Sequence, residues 1–484
     1  MPEKETFNVD KEADFSEWYN RIVREAEVVD DRYNVKGFVI YRPWGMIMVK
    51  EIYKVYEEEL ERRGHLPTLF PVVIPEENLQ RESEHVLGFT PEVFWVTHGG
   101  DEVLEKRLAL RPTSETAFYP MYSLWIRSIR DLPMKLYQSC TVFRYETKAT
   151  RPLLRGREFL WIETHCAFPS EEDALRQVKE DMEVAIKTLK ELGISILFCL
   201  RPQWDKFKGA VNTYAADCLM PDGKLNQVAS THYLGTKFSK AFNIHFQDAD
   251  GENKAVYQTC FGPGISRTLA ALISIHGDDS GLVLPFRTAP VQVVVVPIPG
   301  GEGVQEMCRS IWLKLKEEGL RTRLDTDERS PGMKYYYWEM MGAPFRIEIG
   351  SREKEGGYVT VFRRDTRKRK QVQVGELTGW LKEEAQRMLS AMTEAAERRL
   401  EEKTANAVTM EEASEKINEG YEILRAPFCT IEMEGADCAA KISEKLGLEV
   451  RGYRLDREEK PGPESRCIVC GRRATEMVYM AEAY

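Results

Sequence analysis

The residues with most chemical potential lie between Val142 and Phe168, in VFRYETKATRPLLRGREFLWIETHCAF. Phe159, Trp161, Glu163 and His165 fall on one parity, and Leu160, Ile162 and Cys166 on the other. In a strand that period puts two rings, a carboxylate and an imidazole on one face and the apolar set on the opposite face. Arg144 and Glu146 are also two apart, after the apolar Val142 and Phe143. Between the halves lie Lys148, Arg151, Arg155 and Arg157, with Pro152 and Gly156 as turn formers. A hairpin with this loop can hold a polyphosphate against an antiparallel sheet, its guanidinium groups acting as two-point clamps.

Further candidates lie on either side. In LRPTSE, Thr113 and Glu115 supply a hydroxyl and a carboxylate suited to an ammonium, although the same residues read equally as a helix start. A Pro-Asp-Gly turn joins two strands, the second carrying Gln227, Ser230 and His232. In FGPGISR a glycine turn leads into a helix whose first turn holds Arg267, where the helix dipole also favours phosphate.

The elements that must position these groups follow from periodicity. A helix is expected over 14–27, another over 46–63 stopped by Gly64, then a strand over 68–74 with Pro71 inside it, which suits an edge or a seam between chains. A helix over 171–192 and a strand over 194–200 read as scaffold without chemistry. Beyond a boundary near 284–290, strands and helices alternate as β-α-β-α-β-β, predicting a parallel or mixed sheet with helices on its faces. The basic run over 363–370 could hold phosphates or be a solvated face. A charged helix over 376–403 leads to a last region with Cys429, Cys438, Cys467 and Cys470. Its CIVCG knuckle suits a four-thiolate zinc site, with buried unmetallated thiols as the alternative.

Composition sets limits. At 484 residues and 43% hydrophobic content, two to four domains are expected. A net charge of −10 does not suit a nonspecific nucleic-acid binder, so RNA contacts would need local basic patches. No apolar run reaches membrane-spanning length, the opening MPEKETFNVDKEADF does not read as a leader, and ten scattered cysteines fit reduced thiols in the cytosol.

Arg144-x-Glu146, followed by Arg155-x-x-x-Phe159, resembles the second signature motif of class II aminoacyl-tRNA synthetases. The helix and proline-bearing strand upstream resemble their first motif, which builds a homodimer; Gly262-x-Gly264 with Arg267 resembles the third. LRPTSE, HVLGF and GHLPTLFPVVIP are similar to the prolyl-type family in its archaeal and eukaryotic form, which lacks an inserted editing domain. The resemblance implies ATP-driven activation of L-proline, transfer to the 3′ end of tRNA, and use of Mg²⁺. It assigns Arg144 to the α-phosphate and the proline carboxylate, Glu146 to the adenine amino group, Arg155 to the terminal phosphate and Phe159 to the base. Arg267 covers the base's other face and touches the γ-phosphate, and Gln227, Ser230 and His232 touch ATP or proline. Thr113 and Glu115 bind the imino group, with Trp161, Glu163 and His165 lining the same pocket. Glu339 and Arg346 correspond to anticodon-reading positions, and the terminal Tyr484 to a residue tucked near the active site. Three regions are implied: an antiparallel-sheet catalytic domain over 1–287, an α/β anticodon-binding domain over 288–390, and a linker helix with a small α+β zinc-binding domain over 391–484. Since one methylene changes pocket discrimination by only about 1–3 kcal/mol, some activation of alanine or cysteine is expected.

Overall fold

The computed structural model describes residues 7, 9–85 and 92–484; most of HVLGF and of the opening six residues lie outside it. Asp14 caps the first helix, α1 (Phe15–Glu25), accepting from the Glu17 amide, and Phe15, Trp18, Tyr19, Ile22 and Val23 form its buried stripe. Helix α2 (Pro43–Arg62) begins three residues before its expected start, because Pro43 occupies the first turn, where a missing N–H costs nothing.

Of the strand expected over 68–74 only Val73 and Ile74 are strand; two short strands in different sheets flank an irregular stretch. Leu66–Pro67 (β1) pairs in parallel with Met134–Phe143, whereas Val73–Pro75 pairs with Glu102–Leu110 in a three-stranded side sheet. Pro71 sits in the crossing between them, where no ladder bond is required of it. Next come α3 (Glu115–Trp125), β2 (Met134–Phe143), β3 (Glu158–Phe168), α4 (Glu171–Glu191), β4 (Leu197–Leu200), β5 (Asn212–Leu219), β6 (Leu225–Gly235), β7 (Tyr257–Pro263) and α5 (Ile265–His276). These strands pair antiparallel in the order β4-β5-β6-β7-β3-β2, with β1 at the edge. Helices α2, α4 and α5 contribute to the principal core with Val49, Ile52, Val184, Leu189, Leu269 and Leu272.

A second sheet has the order Thr322–Leu324, Val293–Pro297, Phe345–Ile349, Tyr358–Arg363, Lys368–Gln373. Its first three strands run parallel and the remainder antiparallel, giving the mixed sheet expected from the sequence. Much of the basic run lies in its final hairpin. Arg363 pairs with Asp365 and Glu384, Arg364 with Asp278, and Arg369 with Glu348, so these three are tied up within the chain.

The helix Leu377–Glu402 crosses to the C-terminal region. Its strands Thr404–Asn406, Ile423–Phe428, Glu476–Ala481 and Glu449–Arg454 continue the catalytic sheet, with Tyr453 and Arg454 paired to Leu200 and Cys199 of β4. The main sheet thus reaches eleven strands among the described residues and spans the first and last regions of the chain.

Candidate active site

One cavity of about 340 Å³ opens on the face of the main sheet. Thr113, Glu115, Arg144, Glu146, Arg155, Phe159, Trp161, Glu163, His165, Gln227, Ser230, His232 and Arg267 all line it.

The alternation of β3 delivers its four residues as expected. Arg144 and Glu146 lie just past the end of β2, not within it. Simple alternation would put Gln227 and Ser230 on opposite faces. A bulge resolves this: Asp217 pairs with Gln227 and Ala216 with Ala229, so Val228 is the extra residue and the parity resets. On β7, a Cβ at Gly262 would lie 2.6 Å from the Trp161 ring, so the missing side chain leaves room for that indole. Gly264 has an ordinary negative φ, and its amide bonds to the Val228 carbonyl; no special turn is needed beside Pro263.

At one end, acids and hydroxyls form a tight cluster. Ser114 is the N-cap of α3, yet its side chain makes no capping bond. Its Oγ instead donates to Glu163 Oε2 at 2.5 Å, and its amide to Glu163 Oε1 at 3.0 Å. Thr113 Oγ1 lies 2.5 Å from Glu115 Oε2 and 2.8 Å from Glu163 Oε1, and Gln138 Nε2 donates to Glu163 Oε2 at 3.0 Å. The turn does start a helix, but its hydroxyls are turned to Glu163 and Glu115 instead of capping it. Burial alone would raise the Glu163 carboxyl, but His165, Ser114, Thr113 and Gln138 overturn this and hold it below its ordinary value. Both Glu163 oxygens are engaged by the chain, so this residue fixes the Thr113–Glu115 turn. Glu115, Glu163 and His165 have ligand atoms within 4.8 Å of one another, the only such carboxylate-containing group among the described residues. His165 Nε2 and Trp161 Nε1 are buried and have no partner, so the cavity offers groups that a ligand can satisfy.

At the other end the chemistry is cationic. The Arg144 guanidinium is open to the cavity but ringed by protein: Nε donates to the Pro112 carbonyl at 3.1 Å, and Phe159 and Trp161 lie 5.3 and 5.1 Å from it. Arg267 donates to the carbonyls of Leu154 (3.1 Å) and Gln227 (3.3 Å). Desolvation, then repulsion by Arg144 and Arg155, brings its pKa down to about 10. Among the described residues neither Arg144 nor Arg267 has a carboxylate within ion-pair distance, and Arg155 has only Glu146, at 3.9 Å. His232 stays uncharged, pushed down to about 3 by burial, with Thr213 Oγ1 2.9 Å from Nδ1 and Ser230 Oγ 3.1 Å from Nε2.

Sequence reading missed several lining residues, including Phe207, whose ring lies tilted with its centre 4.9 Å from that of His232. It also passed over Arg201, in the stretch treated as scaffold. Nothing in the local RPQWDKF string marked these positions.

Two other groups lie elsewhere. The four cysteines come together with sulfurs within 4.8 Å of one another, and Cys429 and Cys438 are 3.8 Å apart. Tetrahedral zinc–thiolate bonds of about 2.3 Å place sulfurs about 3.8 Å apart, so the cluster fits that ion. The long spacing after Cys429 is taken up by a 3₁₀ turn, Met433–Gly435, that carries Cys438 back. Arg346, in contrast to its expected role, is 1% exposed: it pairs with Glu339 (2.9 Å) and Glu348 (2.9 Å), between the rings of Tyr335 and Phe362. It offers no open face to a base; Glu339, also paired with the exposed Arg367, is the more accessible of the two.

An antiparallel sheet with unneutralised arginines at one end of a cavity and an acid cluster at the other defines a class II aminoacyl-tRNA synthetase core. Residues 94–276 match the family model of the tRNA synthetase class II core domain (G, H, P, S and T), residues 292–384 the anticodon binding domain, and residues 410–484 the prolyl-tRNA synthetase C-terminal domain. The proline–tRNA ligase of Thermofilum pendens is 52% identical over 98% of both chains, and that of Pyrococcus abyssi 43% identical over 97% of this chain and 98% of its own. A Giardia lamblia prolyl-tRNA synthetase, solved in complex with prolyl-adenylate, superposes with a TM-score of 0.94 at 37% identity, covering 99% of this chain and 100% of that one. The chain belongs to the proline–tRNA ligases, enzymes that join proline to tRNA. No helix among the described residues is long and apolar enough to cross a membrane.

Proposed function

We propose that this cavity carries out proline activation with the residue roles the motifs imply. The observation that carries the reading is the set of cavity-lining guanidiniums at Arg144, Arg155 and Arg267, two of which meet no carboxylate of their own. Arg144 holds the ATP α-phosphate and the proline carboxylate, Arg155 the terminal phosphate, and Arg267 the base opposite Phe159. Glu146 receives the adenine amino group, and Gln227 and Ser230 steady the nucleotide. Thr113 and Glu115 take the imino group while Glu163 holds their turn; Trp161, His165 and His232 wall the ring. A proline carboxylate oxygen attacks the α-phosphorus, and the bond from that phosphorus to the bridging oxygen breaks, releasing pyrophosphate. The terminal ribose hydroxyl of tRNA then attacks the carbonyl, and AMP leaves. Catalysis is placement and charge neutralisation; no side chain acts as nucleophile.

Mg²⁺, which prefers phosphate oxygens with one or two carboxylates, has no ready-made protein cage here: the Glu115–Glu163–His165 group is already saturated at Glu163. It would be carried by ATP itself. Cys429, Cys438, Cys467 and Cys470 would hold a structural Zn²⁺. Glu339 faces the tRNA anticodon, with Arg346 as its internal counter-charge. Ten free thiols support a cytosolic setting. Exposed Leu66 (63%), Leu69 (76%), Val72 (41%) and Val73 (37%) support a homodimer seam at the first motif.

Proline-dependent pyrophosphate exchange, run across a panel of amino acids, tests the reading. Proline should lead, with alanine or cysteine slow but measurable; exchange led by threonine or serine would overturn the pocket assignment, and none with alanine or cysteine would remove the side activity.

A further inference from the structure

The floor of the nucleotide end is fastened from beneath by a buried ion cluster. Arg201 follows β4, Asp217 lies on β5, and Arg451 comes from the C-terminal strand Glu449–Arg454; they are 1%, 0% and 5% exposed. Asp217 accepts from Arg201 Nη2 with both oxygens (2.7 Å each) and from Arg451 Nε (3.2 Å) and Nη2 (3.3 Å). Arg201 Nη1 also donates to the Arg451 carbonyl at 2.9 Å. Burial alone would raise the Asp217 carboxyl; the two guanidiniums instead hold it below its ordinary value.

The cluster reaches the cavity through one residue. Arg201 Nη2 donates to Gln227 Oε1 at 3.2 Å. A guanidinium only donates, so this contact sets the amide's orientation: oxygen toward Arg201, amide nitrogen left for the cavity that Gln227 lines. The main-chain carbonyl of the same residue accepts from Arg267 Nη1. On the C-terminal side, the strand Glu449–Arg454 bulges at Val450/Gly452 against Glu476–Ala481 and pairs through Tyr453 and Arg454 with β4. Gly452 has φ +100°, and a Cβ there would lie 1.7 Å from the Leu200 carbonyl oxygen, so only glycine permits the approach that seats Arg451 on Asp217.

We propose that Arg201, Asp217 and Arg451 are positioning residues through which the C-terminal region orients Gln227 and Arg267 toward the nucleotide. This rests on the reading of Gln227 as a nucleotide contact.

Steady-state pyrophosphate exchange on the full chain, with KM measured separately for ATP and for proline, tests it. Arg451→Met should raise the KM for ATP about tenfold, the scale of one misplaced hydrogen bond, and leave the proline KM within about twofold. Arg451→Lys, which keeps the charge but loses the fork, should show the same split at smaller size, and it carries the test if Arg451→Met does not fold. Gln227→Ala should raise the ATP KM as well, and Arg451→Met should add nothing on top of it. Arg425→Ala, which removes a pairing with Glu459 in the same region, should move neither KM. Equal changes in both KM values, or an ATP KM that responds to Gln227→Ala but not to Arg451→Met, would overturn the proposal. An ATP KM untouched by Gln227→Ala would instead fault the nucleotide role of Gln227, and the proposal with it.

Discussion

Arginines are treated in opposite ways in two regions of this molecule. In and around the anticodon-binding domain, Arg346 and Arg364, 1% and 0% exposed, are each matched to carboxylates: Glu339 and Glu348 for the first, Asp278 for the second. Around the cavity, Arg144 and Arg267 meet carbonyl oxygens and rings, and burial, then repulsion from neighbouring arginines, lowers the proton affinity of Arg267. A cation neutralised by its own chain holds a fold together. One that faces an open cavity with no carboxylate at ion-pair distance is set up for an anion from outside. The difference sets the cavity arginines apart from the ion-paired ones of the second sheet.

The sharpest way to break the comparison is at Arg144. Arg144→Ala should lower proline-dependent pyrophosphate exchange by about 10³-fold or more, as expected for charge stabilisation of a reacting phosphate, with the circular dichroism and assembly state unchanged. Near-normal exchange would remove Arg144 from the reaction. Arg346→Met should do the reverse. Leaving Glu339 and Glu348 without their buried partner should cost about 3–5 kcal/mol of unfolding free energy, while exchange per folded molecule stays close to normal. Unchanged stability in denaturant titration would contradict the structural role given to it.

The smallest effect concerns His232, whose neutrality leaves the cavity's charge to the guanidiniums. Its folded pKa of about 3 lies below the unfolded value. Between about pH 6.5 and pH 3, unfolded chains therefore bind a proton that the folded chain refuses. The associated stability is present above about pH 6.5 and falls with acidification by at most about 1.4 kcal/mol per pH unit. His232→Gln should remove that slope from a pH series of unfolding measurements. The ATP and proline KM values of the native chain should show no inflection near pH 6.5 from this group.

The two regions also differ in how much of them the sequence revealed. The cavity was legible because its key groups lie at short, periodic spacing: the alternation from Phe159 to His165, and the pairs Thr113/Glu115 and Arg144/Glu146, are local patterns that a strand or a turn converts directly into a face. Gln227 and Ser230 were found through a string resemblance, because a bulge at Val228 defeats parity counting. Long-range pairing was invisible. Asp217 meets Arg451 across 234 positions, and no local pattern signals that meeting. The burial of Arg346 was hidden for the same reason, since it depends on Tyr335, Phe362 and Glu348 closing around it. The broken strand after Leu66 was masked by an apolar run that serves two sheets in succession. The continuation of the catalytic sheet into the C-terminal region likewise had no sequence signal, because strand order is a property of tertiary pairing.

Thermal unfolding of Arg267→Met and Arg346→Met, each with and without proline and a non-hydrolysable ATP analogue, tests the distinction most directly. For Arg267→Met we expect a melting temperature close to that of the native chain and loss of the ligand-induced rise. For Arg346→Met we expect a large drop without ligand and an intact rise with it. Loss of the rise in Arg346→Met but not in Arg267→Met would contradict the division between arginines that hold the fold and arginines that await the nucleotide.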